Sequence, residues 1–147
     1  MNPYLPKLMP RRKRTALTRS EIMSRIRAKD TSPETAVRSA VYALGHRFRK
    51  NVASLPGKPD IANQSKRWAI FVHGCFWHGH NNCKLASKPK TNREYWIPKL
   101  RRNKSRDAER IAALKRVGFR VLVLWECDVR VGKTGKALER FFLRLEQ

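Results

Sequence analysis

The sequence predicts one α/β (α+β) domain, a small mixed sheet flanked by helices, and three observations predict it. A chain of 147 residues buries one ordinary core and is too short for two. Short apolar runs bounded by turn residues, above all Trp68-Ala69-Ile70-Phe71-Val72, read as strands. Around them apolar residues recur at helical spacing, so helices must cover the sheet.

Residues 1 to 18 hold three Pro and the basic cluster Arg11-Arg12-Lys13-Arg14 without apolar periodicity, and read as a disordered basic arm. Residues 19–147 form the single domain. Ile22, Met23 and Ile26 predict a short helix from Arg19 to about Ala28, closed by Asp30-Thr31-Ser32-Pro33. Ser32 caps a second helix with Pro33 at its first position, Val37, Val41 and Leu44 as its apolar stripe and Gly45 as its stop. A strand at His46 to Lys50 leads through Leu55-Pro56-Gly57 to a hairpin of Asp60-Ile61-Ala62 and Trp68 to Val72. Residues 73–90 are a loop. Asn92 to Val117 is helical in pattern, interrupted or begun afresh at Pro98. A buried strand, Phe119 to Trp125, and an amphipathic helix, Lys136 to Leu145, complete the domain.

Composition narrows the partner. Lys and Arg number 34 against 11 Asp and Glu, a net charge of +23, and such a surface seeks a polyanion. No apolar run reaches spanning length and Met1 to Arg14 lacks the apolar core of a signal peptide, so nucleic acid is favoured over a membrane. Three Cys, an odd number, point to a reducing compartment and to metal binding or plain burial.

His73 to Cys83 packs two Cys and three His into eleven residues, and Cys127 ends the late strand. Cys75, His80, Cys83 and Cys127 would give Zn²⁺ a closed Cys₃His site with no open position for water, the alternative being three buried thiols. His73 and His78 then remain for chemistry.

Pro59-Asp60 followed by two strands is the skeleton of a large nuclease superfamily that holds Mg²⁺ on acidic residues across a hairpin, a restriction-endonuclease-like core. With the turn centred on Lys66, antiparallel pairing places Asp60 across from Val72, so one metal would bridge the Asp60 carboxylate and the Val72 carbonyl. The acid and lysine usual on the second strand are absent, leaving acid, base and charge-stabilising work to His73 and His78. Asp107 lies on the inward stripe of the long helix with Leu100, Ile111 and Leu114. Its partner is either a histidine whose tautomer it fixes or Arg106 or Arg110. Glu34 reads as compensation of the helix dipole.

His73-Gly-Cys-Phe-Trp-His78, with Ser54-Leu-Pro-Gly-Lys-Pro-Asp60 before it and Val123-Leu-Trp-Glu-Cys127 after it, resembles very short patch repair endonucleases from about Arg19 to Arg130. The resemblance implies a catalytic set of Asp60, His73, His78, Asp107 and Glu34, with Val72 lending its carbonyl to Mg²⁺ and Cys75, His80, Cys83 and Cys127 holding Zn²⁺. It implies an aromatic wedge of Phe76, Trp77 and Trp96 for the base stack, rings whose other reading is core, and a minor-groove approach by Met23. Val72 stands where the family usually has Thr, and the His80 to Cys83 spacing is one residue longer than usual. The implied activity is nicking of duplex DNA 5′ to the thymine of a T:G mismatch, the product of 5-methylcytosine deamination. A monomer in the bacterial cytoplasm is expected, acting at the nucleoid and linked functionally to a DNA cytosine methyltransferase and mismatch-repair proteins. Two rivals stand beside it: a restriction-type nuclease without mismatch specificity, and a zinc-bearing DNA-binding module without catalysis.

Overall fold

A computed structural model describes residues 16–25 and 29–147. The basic cluster Arg11, Arg12, Lys13 and Arg14, with most of the expected arm, and Ile26 to Ala28 lie outside the described residues. Among those described, no helix is long and apolar enough to cross a membrane.

Helix α1 (Arg19–Ser24) starts in a capping box, in which the Thr18 hydroxyl accepts from the Glu21 N–H and the Glu21 carboxylate accepts from the Thr18 N–H. It ends at Ser24, short of the expected Ala28, and of its apolar residues Ile22 is 46% exposed while Met23 is partly buried. Helix α2 (Ser32–Ala43) is capped one residue earlier than expected, by Thr31. Its Val37 and Val41 are buried, but Leu44, the C-cap, is 40% exposed.

Four strands follow in the order β1-β2-β3-β4: β1 (Arg49–Lys50), β2 (Ile61–Asn63), β3 (Trp68–His73) and β4 (Arg120–Trp125). The first three pair antiparallel, and β3 pairs parallel with β4 after the crossover through α3 (Arg93–Arg116). The expected strand from His46 shrinks to two residues: the His46 N–H donates back to the Val41 carbonyl at 3.2 Å, the Arg47 carbonyl accepts from the Asn63 side chain at 2.9 Å, and the His46 ring stacks on Phe142 at 3.6 Å between centroids. Helix α3 runs through Pro98 unbroken. The N–H that proline lacks would have bonded the Glu94 carbonyl near the helix start, and Pro98 is exposed, so water can serve that carbonyl. Strand β4 is a sheet edge with only Leu124 buried, not the buried strand expected. Two short pieces were not foreseen: a 3₁₀ turn at Lys84–Ala86 and α4 (Glu126–Arg130). Helix α5 (Thr134–Leu143) starts and ends two residues before the expected limits.

β3 is apolar at nearly every position because both faces are covered. Trp68 and Ile70 point to a cluster with Val37 and Val41 of α2 and Leu138 and Phe142 of α5. Ala69 and Phe71 point the other way, to Leu114 of α3. By the same alternation Val72 packs on the α2/α5 side, and His73 emerges on the α3 side.

Leu138 has no exposed surface in the first cluster. Leu138→Ala should lower unfolding stability by about 2–5 kcal/mol through reduced burial and a residual cavity, read as a shift in the denaturant midpoint at unchanged slope.

Candidate active site and metal centre

The end of β3 delivers two groups of side chains to one place. Val72 is paired with Leu124 and His73 with Trp125 of β4. Beyond His73 the chain coils tightly: the His78 N–H donates to the Gly74 carbonyl at 3.1 Å, the His80 N–H to the Cys75 carbonyl at 3.0 Å, and Gly79 adopts φ +62°.

The first group is Cys75, His80, Cys83 and Cys127, whose ligand atoms all lie within 4.8 Å of one another. The Cys127 N–H donates to Cys75 Sγ at 3.4 Å, and His80 stacks on Trp125 with centroids 4.1 Å apart. Burial pushes the Cys75 thiol up to about 12, so packing the thiolate here without a compensating cation is unfavourable. Three sulfurs and an imidazole nitrogen at this separation suit a soft or borderline metal ion.

The second group is His73, His78 and Asp107, whose ring nitrogens and carboxylate also lie within 4.8 Å of one another. His73 is 6% exposed and stacks face to face on His78, 3.9 Å between centroids and 4° between planes. His78 Nδ1 meets Asp107 Oδ2 at 2.5 Å, so Asp107 pairs with a histidine rather than with Arg106 or Arg110. Burial first, then the neighbouring His78, lowers the His73 pKa to about 4, which keeps that ring neutral at physiological pH.

Asp60 precedes β2. The ladder pairs Ile61 with Ile70, so continuing it one step sets Asp60 opposite Phe71 and not Val72. The Asp60 carboxylate nevertheless reaches Val72, but it accepts from the Val72 N–H at 2.6 Å instead of lying beside the carbonyl alone. Glu34, buried in the first turn of α2, accepts from the Asp30 N–H at 2.9 Å and from Arg38 at 3.3 Å. Burial raises the Asp60 pKa to about 6, the Val72 N–H opposes the rise, and nearby Glu34 adds to it.

Met23, Glu34, Asp60, His73, His78 and Asp107 line one cleft of about 1330 Å³, and Val72, Phe76 and Trp77 border it too. Trp96 lies behind, edge-on to Phe76 at 5.5 Å. Phe76 and Trp96 are buried, at 6% and 5% exposed, while Trp77 is partly exposed.

A profile of the family described as DNA mismatch endonuclease Vsr matches residues 12–85. The Type II nicking enzyme V.XorIIP of Xanthomonas oryzae pv. oryzae is 47% identical over 111 residues, 76% of this chain and 81% of that protein. The chain belongs to the DNA mismatch endonuclease Vsr family. Other relatives agree with this: the DNA mismatch endonuclease Vsr of Escherichia coli is 42% identical over 88% of this chain and 82% of its own length. The Type II nicking enzyme V.HpaIIP of Haemophilus parainfluenzae is 31% identical over 97% of this chain and 94% of its own length.

Residues of the Vsr-family cleft also bond to partners that sequence reasoning does not single out, and Glu126 of the cleft itself was not singled out either. Arg38 bonds Asp30 and Glu34 together, and its i,i+4 spacing from Glu34 is the available signal. Glu126 receives the Cys75 N–H at 3.4 Å and pairs with Arg130, bracing the loop from the far side of the cleft. Asn103, one helical turn before Asp107, donates to the Trp77 carbonyl at 3.2 Å.

The raised Asp60 pKa makes a stability prediction for protein without added divalent cation. The folded value lies above the ordinary one, so folding disfavours the charged form. That penalty is absent below the ordinary carboxylate range, grows as pH rises towards 6, and is constant above. Asp60→Asn keeps an oxygen for the Val72 N–H and should stabilise the chain at pH 8 by about 1–3 kcal/mol. The gain in thermal midpoint should shrink towards pH 5, and an equal gain at both pH values would contradict the assignment.

Proposed function

We propose that the protein nicks duplex DNA on the 5′ side of the thymine in a T:G mismatch, using Mg²⁺ in the cleft and Zn²⁺ in the cysteine cluster. The convergence of Asp60, Glu34 and the His73/His78/Asp107 set in one cleft of a Vsr-family chain carries this reading. Such a mismatch is what deamination of 5-methylcytosine leaves, which ties the activity to a DNA cytosine methyltransferase and to mismatch-repair proteins.

The donors fit the two ions. Asp60 offers a hard carboxylate oxygen. The N–H and C=O of one strand residue face the same edge, so the Val72 carbonyl is directed to the side where Asp60 already meets the Val72 N–H. Bound there, Mg²⁺ would supply charge stabilisation at the phosphate. Cys75, His80, Cys83 and Cys127 would hold Zn²⁺ as a closed structural site.

With Asp107 accepting at Nδ1, His78 carries its proton there and keeps Nε2 free as a base for the attacking water. His73, neutral and stacked on His78, serves better as a hydrogen-bond donor to the phosphate than as a fixed cation. Asp107→Asn releases the tautomer and removes the carboxylate that stabilises a protonated His78.

A nicking assay on otherwise identical duplexes carrying T:G or T:A tests the reading. Preference for T:G is expected, with nicking reduced in Asp60→Ala by about 100-fold or more while affinity is little changed. Equal rates on both duplexes would leave an endonuclease without mismatch recognition. Trp77→Ala should cut T:G nicking by about 10-fold to 100-fold, the worth of roughly 1–3 kcal/mol of base stacking, with non-specific binding retained. Undiminished mismatch preference would remove that ring from the wedge.

A further inference from the structure

Beyond the cleft the chain builds a second basic recess. Arg130 lines the cleft, and two residues on, Gly132 opens a separate cavity of about 430 Å³ lined by Gly132, Lys133, Lys136, Ala137 and Arg140. Two residues of chain span at most about 7 Å, so the recess adjoins the cleft's rim.

The spacing of Lys133, Lys136 and Arg140 places them on one side of α5, away from the Leu138 and Phe142 side that packs into the core, with Ala137 at the boundary. Lys133, Lys136 and Arg140 are exposed, and none of them makes an ion pair among the described residues. Arg130 at the cleft, by contrast, is held by the Glu126 carboxylate. No acidic residue lines the recess. A Cβ built on Gly132 or Gly135 would meet nothing within 4 Å, so the backbone of the turn into α5 is open to close approach.

We propose that this recess is a phosphate-binding subsite that grips the sugar-phosphate backbone of the duplex flanking the nicked position. It contributes affinity and register but no sequence information. The inference rests on the reading of duplex DNA as substrate. Charge alone does not carry it, since the whole chain is basic. It stands on three unpaired cations converging on one concave, acid-free surface next to the cleft.

The test compares two triple variants of the full chain that remove the same charge. Lys133→Ala/Lys136→Ala/Arg140→Ala empties the recess. Lys115→Ala/Arg116→Ala/Arg120→Ala removes exposed cations from the opposite end of the sheet, where β4 begins. Binding to a T:G duplex is measured from low to physiological salt, and nicking is measured at saturating DNA. The recess variant should lower the slope of log affinity against log salt by about 2–3, near 0.9 for each phosphate that is no longer neutralised, with the nicking rate at saturation unchanged. The control variant should change the slope by less than one. Equal slope changes in the two variants, or none in the recess variant, would overturn the proposal. If the unmodified protein shows no T:G preference and the recess variant still loses slope, the mismatch reading fails while the subsite stands.

Discussion

The parallel register of β3 on β4 sets the position of nearly every functional group. It pairs residues 52 apart in sequence, ending at His73 opposite Trp125. Two residues further along both chains the same offset joins Cys75 to Cys127, whose N–H reaches the Cys75 sulfur. The cysteine and histidine cluster is therefore a continuation of the strand pairing into the loops. A slip of one residue would turn His73 to the α2/α5 face, put Val72 in its place and part the two cysteines. The buried positions of β3 resist that slip, since Trp68 and Ile70 cannot exchange faces with Ala69 and Phe71 without emptying one cluster and overfilling the other.

On this frame the charges are sorted rather than spread. Five of the chain's 11 acidic residues, Asp30, Glu34, Asp60, Asp107 and Glu126, line the one cleft of a protein with net charge +23. Three cations, Lys58, Arg110 and Arg130, line it with them, so the cleft is the least basic part of a strongly basic surface. Asp60 and Glu34 repel each other, which is part of why the Asp60 carboxyl titrates high, and Arg38 offsets some of that repulsion from below. The arrangement costs stability in the absence of a cation and would favour binding one as proposed, a common relation between destabilising buried charge and function.

Much of this was legible in the sequence, for identifiable reasons. Three of the four clustered donors fall within nine residues, and Cys127 closes a strand that periodicity reveals, so their meeting could be read without coordinates. His78 and Asp107 were readable because an acid on an apolar helical stripe needs a partner, though the choice between a histidine and an arginine had to come from the fold. The Asp60 register was off by one because the loop between Asn63 and Trp68 comprises Gln64 to Arg67, centred between Ser65 and Lys66, with Arg67 at φ +51°. Helix α4, only five residues long, gives no periodicity to detect. The role of Glu126 was hidden as well, since its bond to the Cys75 N–H crosses between segments 51 residues apart.

The aromatic residues pose the remaining energetic question. Phe76, Trp77 and Trp96 contact one another edge-on or tilted at 5.3–5.8 Å, with Tyr95 against Trp96 and the Lys99 ammonium 5.1–5.5 Å from three ring centres. Each such ring pair is worth about 0.5–1.5 kcal/mol beyond burial. A ring leaving this cluster for a base stack forfeits those interactions and regains roughly 1–3 kcal/mol by stacking. It must also meet an unstacking cost of a few kcal/mol in the DNA. On a matched duplex the exchange is unfavourable, and it turns favourable only where the stack is already weak. If these rings insert as proposed, burial of Phe76 and Trp96 in the free protein would work with mismatch selectivity, because it removes the apolar driving force that would otherwise insert the rings anywhere. Trp77, the most exposed of the three, gives up least on leaving, so it is the ring for which insertion is least costly.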